Sequence, residues 1–286
     1  MRGSRKRLVA QVLFFWDYDT QWGADRSRNP TRTPDWGALE FPNTDLVLEA
    51  HARHGIPACF AVVGAAALPG ERPYHDPMQV RRIHEEGHEV ASHSFRHEWL
   101  PALGGEKLRE TLRTSKDALE QCIGAEVATF VPPFNQPFDL ARRGSISLSE
   151  RRAVRRHRTD IGRLCTALRE TGYRFCRVAY QPLAMRLAAL AGRHQLTGSA
   201  LETIHGITCV RLNTPGGFGP EIRHAIESDE DGGIWVLYGH PHSVRMKESA
   251  QSICALERTL RYVAEWRREG RIRCALPRDL IHPERN

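Results

Sequence analysis

The chain has 286 residues, a formal net charge of +7 and seven cysteines. That length can bury one large core, and no linker-like tract or repeat period divides it, which excludes solenoids and predicts a single domain over residues 1–286 with its core at about 11–280. The cysteines stand singly without a CxxC pair, which excludes a disulfide framework and suits reduced thiols in a cytoplasmic protein; the positive charge favours anionic partners without marking a nucleic-acid binder.

Met1-Arg2-Gly3-Ser4-Arg5-Lys6-Arg7 followed by apolar residues 8–16 imitates an export signal, but no small-residue cleavage site follows. The apolar run is far shorter than the roughly 20 residues of a transmembrane span. It reads as the first core strand, ending in Asp17-Tyr18-Asp19. Asn43-Thr44-Asp45 predicts a helix start, and Gly55 a stop after His54. A buried strand follows at 56–64, a helix at 77–86 stopped by Gly87, and a short strand at 89–92. Leu108, Leu112, Leu119 and Cys122 mark a helix over 106–123, and a strand at 129–131 is broken by Pro132-Pro133.

An arginine-rich helical region spans 149–171, with strands at 173–179, 208–212 and 234–238. Ile253, Leu256, Leu260 and Val263 form a helical stripe before a last strand at 271–276. Short apolar strands alternating with amphipathic helices predict an α/β fold with a mainly parallel sheet, closed as a barrel of about seven strands. Chemistry in such a barrel sits at the carboxyl ends of the strands.

Asp17 and Asp19, two apart, can face one way and share a cation; the pair alone also reads as a cap and a solvated loop residue. His93 and His97 have the spacing that lets two imidazoles reach one ion. His84-Glu85-Glu86-Gly87-His88 imitates a zinc-peptidase motif, but Gly87 interrupts the helix that motif requires. His240 and His242 end another strand; His240, first after it, is the candidate general acid and is expected opposite Asp17. Pro132-Pro133-Phe134-Asn135 offers a groove wall with a backbone N–H and an amide for an oxyanion. The glycine-rich 214–220 stretch reads as a loop and 229–233 as a solvated turn. Arg151, Arg152, Arg155, Arg156 and Arg158 read as a wet helix face that could also attract a phosphorylated or lipid-linked substrate.

These pieces, in this order, resemble the polysaccharide deacetylase family, the NodB-homology domain of carbohydrate esterase family 4. The segment Gly87-His88-Glu89-Val90-Ala91-Ser92-His93-Ser94-Phe95-Arg96-His97 is the specific match; the Asp17/Asp19 strand end, the Pro-Pro stretch and 237–240 match by order and spacing. The resemblance implies a distorted (β/α) barrel that hydrolyses N-acetyl groups with a divalent metal ion, zinc, held by Asp19, His93 and His97. It further implies Asp17 as base, His240 as acid, and Phe134, Asn135 and His242 around the substrate or oxyanion.

The implied substrate is an acetamido sugar, a precursor in surface polysaccharide biosynthesis that could be nucleotide- or lipid-linked. A ureide or cyclic-imide amidohydrolase, or a weakened sugar-binding relative, is the alternative. Val131 stands where the family has an arginine that orients the catalytic aspartate, which leaves Asn135 or Arg96 as expected partners of Asp17.

Overall fold

The computed structural model describes residues 9–26, 36–135, 160–179 and 196–281. In chain order the strands are β1 (Ala10–Tyr18), β2 (Cys59–Val62), β3 (Glu89–Ser92), β4 (Thr129–Phe130), β5 (Phe175–Val178), β6 (Leu201–Ile204), β7 (Ile207–Arg211), β8 (Ile234–Gly239) and β9 (Ile272–Cys274). They lie in the order β6-β7-β5-β4-β3-β2-β1-β8, parallel except for the antiparallel β6–β7 hairpin, with β9 beside the start of β1. Ser199, just before β6, makes an antiparallel bridge to Ile234 of β8, so the sheet nearly closes on itself as the expected distorted barrel.

Helices α1 (Thr20–Arg26), α2 (Trp36–His54), α3 (Pro77–Glu85), α4 (Gly105–Ile123), α5 (Ile161–Glu170), α6 (Pro220–Glu227) and α7 (Ile253–Arg268) follow the strands. None among the described residues is long and apolar enough to cross a membrane. The two faces of the sheet sort the core by alternation. Val12, Phe14 and Trp16 of β1 pack outward with Val47 and Leu48 of α2 and Leu256, Leu260 and Val263 of α7. Leu13 and Phe15 point into the barrel with Cys59, Ala61, Ala91, Phe175 and Val236. At the amino-terminal end the buried Glu89 accepts from the Thr129 hydroxyl and the Arg278 N–H, which docks the C-terminal turn under the barrel.

Several boundaries differ from expectation. Helix α2 begins at Trp36, seven residues before the Asn43 start signal, and runs through Pro42. Asn43 does not cap: its amide donates to the carbonyls of Pro241 (2.8 Å) and Val244 (3.3 Å), tying the helix to the loop after β8. Helix α5 starts at Ile161 and is capped by Asp160, whose carboxylate accepts from Arg163 N–H; residues 149–159, with the arginine cluster, lie outside the described residues. Helices α1 and α6 and strand β6 carry no sequence signal strong enough to predict them. Strand β6 is half-exposed and held by its hairpin, whose turn His205-Gly206 has φ of 49° and 84°.

Two outer-layer histidines are locked neutral. His51 accepts from the Trp16 indole N–H through Nε2 (3.0 Å) and donates from Nδ1 to the Ile56 carbonyl (2.9 Å). His88 Nδ1 accepts from the Ala58 N–H (3.0 Å). Burial holds their pKa values at about 3 and about 4, below the usual 6.5. A depressed imidazole pKa contributes stability that is complete above pH 6.5 and is lost as pH falls toward the folded value. His88→Asn keeps an acceptor for Ala58 but cannot titrate. Its pH dependence of unfolding in urea should therefore be shallower than that of the wild type by about one proton, roughly 1.4 kcal/mol per pH unit, between pH 6.5 and 4. Parallel curves would show that His88 titrates alike in both states.

Candidate active site and metal centre

The inner row of each strand turns from apolar to polar at its carboxyl end. On β1, Leu13 and Phe15 are followed by Asp17; on β5, Phe175 by Arg177. Ala91 of β3 is followed by His93, and Val236 and Tyr238 of β8 by His240. Strand periodicity alone thus delivers a carboxylate, two imidazoles and a guanidinium to one end of the barrel.

Asp19, His93 and His97 form a buried cluster whose ligand atoms all lie within 4.8 Å of one another, the sole such group of three among the described residues. His93 donates from Nδ1 to the Val131 carbonyl (2.7 Å), which leaves the Nε2 lone pair directed to Asp19 Oδ1 at 3.4 Å. His97 Nε2 stands 3.6 Å from the same oxygen. Asp19 Oδ1 is buried and accepts no hydrogen bond, and His97 Nδ1 is likewise unpartnered. Lone pairs converging on an orphaned carboxylate oxygen are balanced by a cation, so this donor set fits a divalent ion. Burial opposes the charge on Asp19, but the imidazoles of His97, His93 and His240 outweigh it and hold the carboxyl far below its usual range. Burial keeps His97 down at about 4, ready to offer a lone pair rather than a proton.

Asp17 has a different partner from those expected. Arg177 of β5 grips it bidentately, at 2.9 Å to Oδ1 and 2.7 Å to Oδ2, with both side chains almost fully buried. The guanidinium also donates to Asn135 Oδ1 (3.1 Å) and lies over the rings of Phe15 (5.2 Å) and Tyr238 (5.1 Å). Asn135 is therefore a partner of the arginine, and Arg96 lies elsewhere, exposed. Although burial would raise the Asp17 pKa, Arg177 leads the charges that hold it below the usual value.

His240 Nε2 is 3.7 Å from Asp17 Oδ2 and 4.0 Å from Asp19 Oδ2. It stands beside Asp17 rather than opposite, because β8 pairs directly with β1 and their inner rows are adjacent. Its side chain is 31% exposed, and burial lowers its pKa. His242 is corrected from a substrate contact to a buried support. It is 2% exposed, stacked on Trp36 at 4.2 Å, with Nδ1 3.1 Å from Glu40 Oε2. That Glu40 oxygen also accepts the N–H groups of Asp19 (3.2 Å) and Thr20 (3.1 Å), fixing the turn that carries Asp19. The pKa of His242 is raised, because Glu40 outweighs the burial that opposes its charge.

The Phe134 ring meets His97 edge-on at 4.5 Å, and Asn135 reaches Tyr238 Oη at 3.4 Å. Thr20, Ser94, His97, Phe134 and Asn135 all have positive φ, between 52° and 62°. Left-handed backbone at non-glycine residues is held here by the surrounding contacts, a concentration typical of functional sites. Sequence reasoning missed Arg177 and Glu40. A lone arginine inside the apolar Phe175-Cys176-Arg177-Val178 strand was the available signal; Glu40 had none, since its helix had not been extended that far.

The fold and site together define a (β/α)-barrel protein with a carboxylate–imidazole centre at its strand ends. Residues 35–146 match the model of the polysaccharide deacetylase family. That segment contains His93, His97, Phe134 and Asn135; Asp17, Asp19, Arg177 and His240 join them through the barrel. A chitooligosaccharide deacetylase of Sinorhizobium fredii is 32% identical over 111 residues, covering 38% of this chain and 44% of the relative, so the chain spans under half the length of that curated relative. Two solved structures share the fold. A proposed polysaccharide deacetylase from Mycobacterium smegmatis has 17% identity and a TM-score of 0.58, with 98% of this chain and 96% of that chain covered. Puue allantoinase has 13% identity and a TM-score of 0.55, with 91% and 86% covered.

Proposed function

We propose that this protein is a metal-dependent carbohydrate N-deacetylase that releases acetate from an acetamido sugar. One observation carries the reading: the Asp19, His93 and His97 cluster lies beside a second carboxylate, Asp17, that Arg177 keeps ionised. Two imidazoles and one carboxylate suit zinc with an open position. When bound, the ion would polarise the acetyl carbonyl and acidify a water.

Asp17 has the charge and position to take the proton of the attacking water, and Arg177 prevents its side chain from turning away. His240, partly exposed, delivers a proton to the departing nitrogen. The Phe134 backbone and the Asn135 amide are assigned to the developing oxyanion. The proposed setting is the cytoplasm, on a surface-polysaccharide precursor that carries a nucleotide or lipid link; seven unpaired cysteines support a reducing compartment. Arg177 also supplies the guanidinium partner for Asp17 that Val131 does not.

The test is acetate release from a panel of acetamido sugars, with allantoin as comparison, before and after chelation. Acetate should form, stop on chelation and return with zinc, and His93→Ala should lose both bound zinc and activity. Undiminished turnover in metal-stripped protein would overturn the metal role. Allantoin hydrolysis without acetate release would replace the sugar reading with the ureide one.

A further inference from the structure

We propose that Arg96 and Trp22 form an anion-recognising subsite, and that the substrate carries an oxyanion, phosphoryl or carboxyl, beside the sugar ring that loses its acetyl group. The inference rests on the deacetylase reading for the identity of the sugar, and on separate observations for the anion. Arg96 immediately precedes His97, and Trp22 lies three residues after Asp19, so the two side chains that meet come from the segments that carry two of the candidate metal ligands. The Arg96 guanidinium carbon is 5.0 Å from the Trp22 ring centroid and 5.2 Å from that of Phe95. Trp22 is in turn braced edge-on by Tyr74 (4.9 Å) and His75 (5.9 Å).

The turn beneath Arg96 is rigid. Ser94 and His97 have φ of 62° and 57°, and Glu98 N–H donates to Ser94 Oγ at 3.0 Å. The nearest acid in sequence, Glu98, accepts the backbone N–H of Arg96 on both oxygens (2.9 and 2.8 Å), not its side chain. Among the described residues the Arg96 guanidinium donates no hydrogen bond and has no carboxylate within 4.0 Å. Several other exposed arginines, Arg53, Arg72, Arg109, Arg174 and Arg258, instead pair with Asp or Glu.

An exposed cation fixed between two aromatic faces, with its donors unspent, is preorganised for a planar or tetrahedral oxyanion. Trp22, half-buried, supports the guanidinium from its ring face. A neutral polymer would leave the guanidinium unused, whereas a sugar phosphate or an acidic sugar would engage it.

The experiment compares wild type and Arg96→Gln on three acetamido sugars: neutral di-N-acetylchitobiose, N-acetylglucosamine 1-phosphate and the carboxylate-bearing N-acetylmuramic acid. It reads both kcat/KM and the calorimetric Kd. The wild type should favour at least one anionic sugar over the neutral one. Arg96→Gln should cut that preference about 10- to 100-fold, through KM and Kd, with part restored in Arg96→Lys. Rising salt should erode the same preference. Which anionic sugar responds distinguishes a phosphoryl from a carboxyl group. Equal handling of all three sugars by the wild type, or a preference unchanged in Arg96→Gln, would overturn the subsite. If no sugar releases acetate, the deacetylase reading fails; the Kd comparison on the two anionic sugars then decides the anion site by itself.

Discussion

Asp17→Asn is expected to lower acetate release by about 10²–10⁴ while bound metal stays near the wild-type level, the loss usual for a missing general base. The reason lies in the division of labour between two carboxylates two residues apart. Asp19 Oδ1 meets both imidazoles and accepts no hydrogen bond, whereas both oxygens of Asp17 are occupied by Arg177. An asparagine at 17 retains one acceptor for the guanidinium and loses the capacity to take a proton. Metal analysis alongside single-turnover acetate release separates the roles. Loss of the ion together with the rate would move Asp17 into the ligand set. A thermal-unfolding control is needed, because the amide N–H₂ would face one arm of Arg177.

Arg177→Met should destabilise the fold by about 3–5 kcal/mol, the usual cost of leaving one half of a buried ion pair behind. Methionine is long and apolar enough to occupy much of the space between Phe15 and Tyr238, so the loss reports chiefly on the charge. Asp17 is 2% exposed and would keep only the imidazoles of His93 and His240 beside it. Against a typical total stability of about 5–15 kcal/mol, such a loss shifts the urea midpoint visibly. Arg177→Lys should recover part of the stability but not the two-armed grip or the Asn135 contact, so its rate should remain reduced. Unfolding of Arg177→Met within 1 kcal/mol of wild type would show that the pair is not what holds Asp17.

The amino-acid sequence by itself determined the strands of the barrel apart from β6, and it set Asp17, Asp19, His93, His97 and His240 at strand ends. Alternation in β1 points Asp17 to the same side as Leu13 and Phe15, and the Gly87–His97 stretch places His93 one residue past β3. These are local facts, set by strand periodicity and by glycine stops, so they are readable without the fold. Helix starts were less legible: Asn43 has the chemistry of a cap, but the Pro241 and Val244 carbonyls claim its side chain. Only the tertiary structure decided the partner of Asp17, because Arg177 is 160 residues away and reaches it across the barrel from β5. It also decided that His240 stays partly exposed while His242 is buried against Glu40, two residues of one type separated by Pro241. Contacts between remote segments follow from sheet order and closure, and no spacing within one segment encodes them.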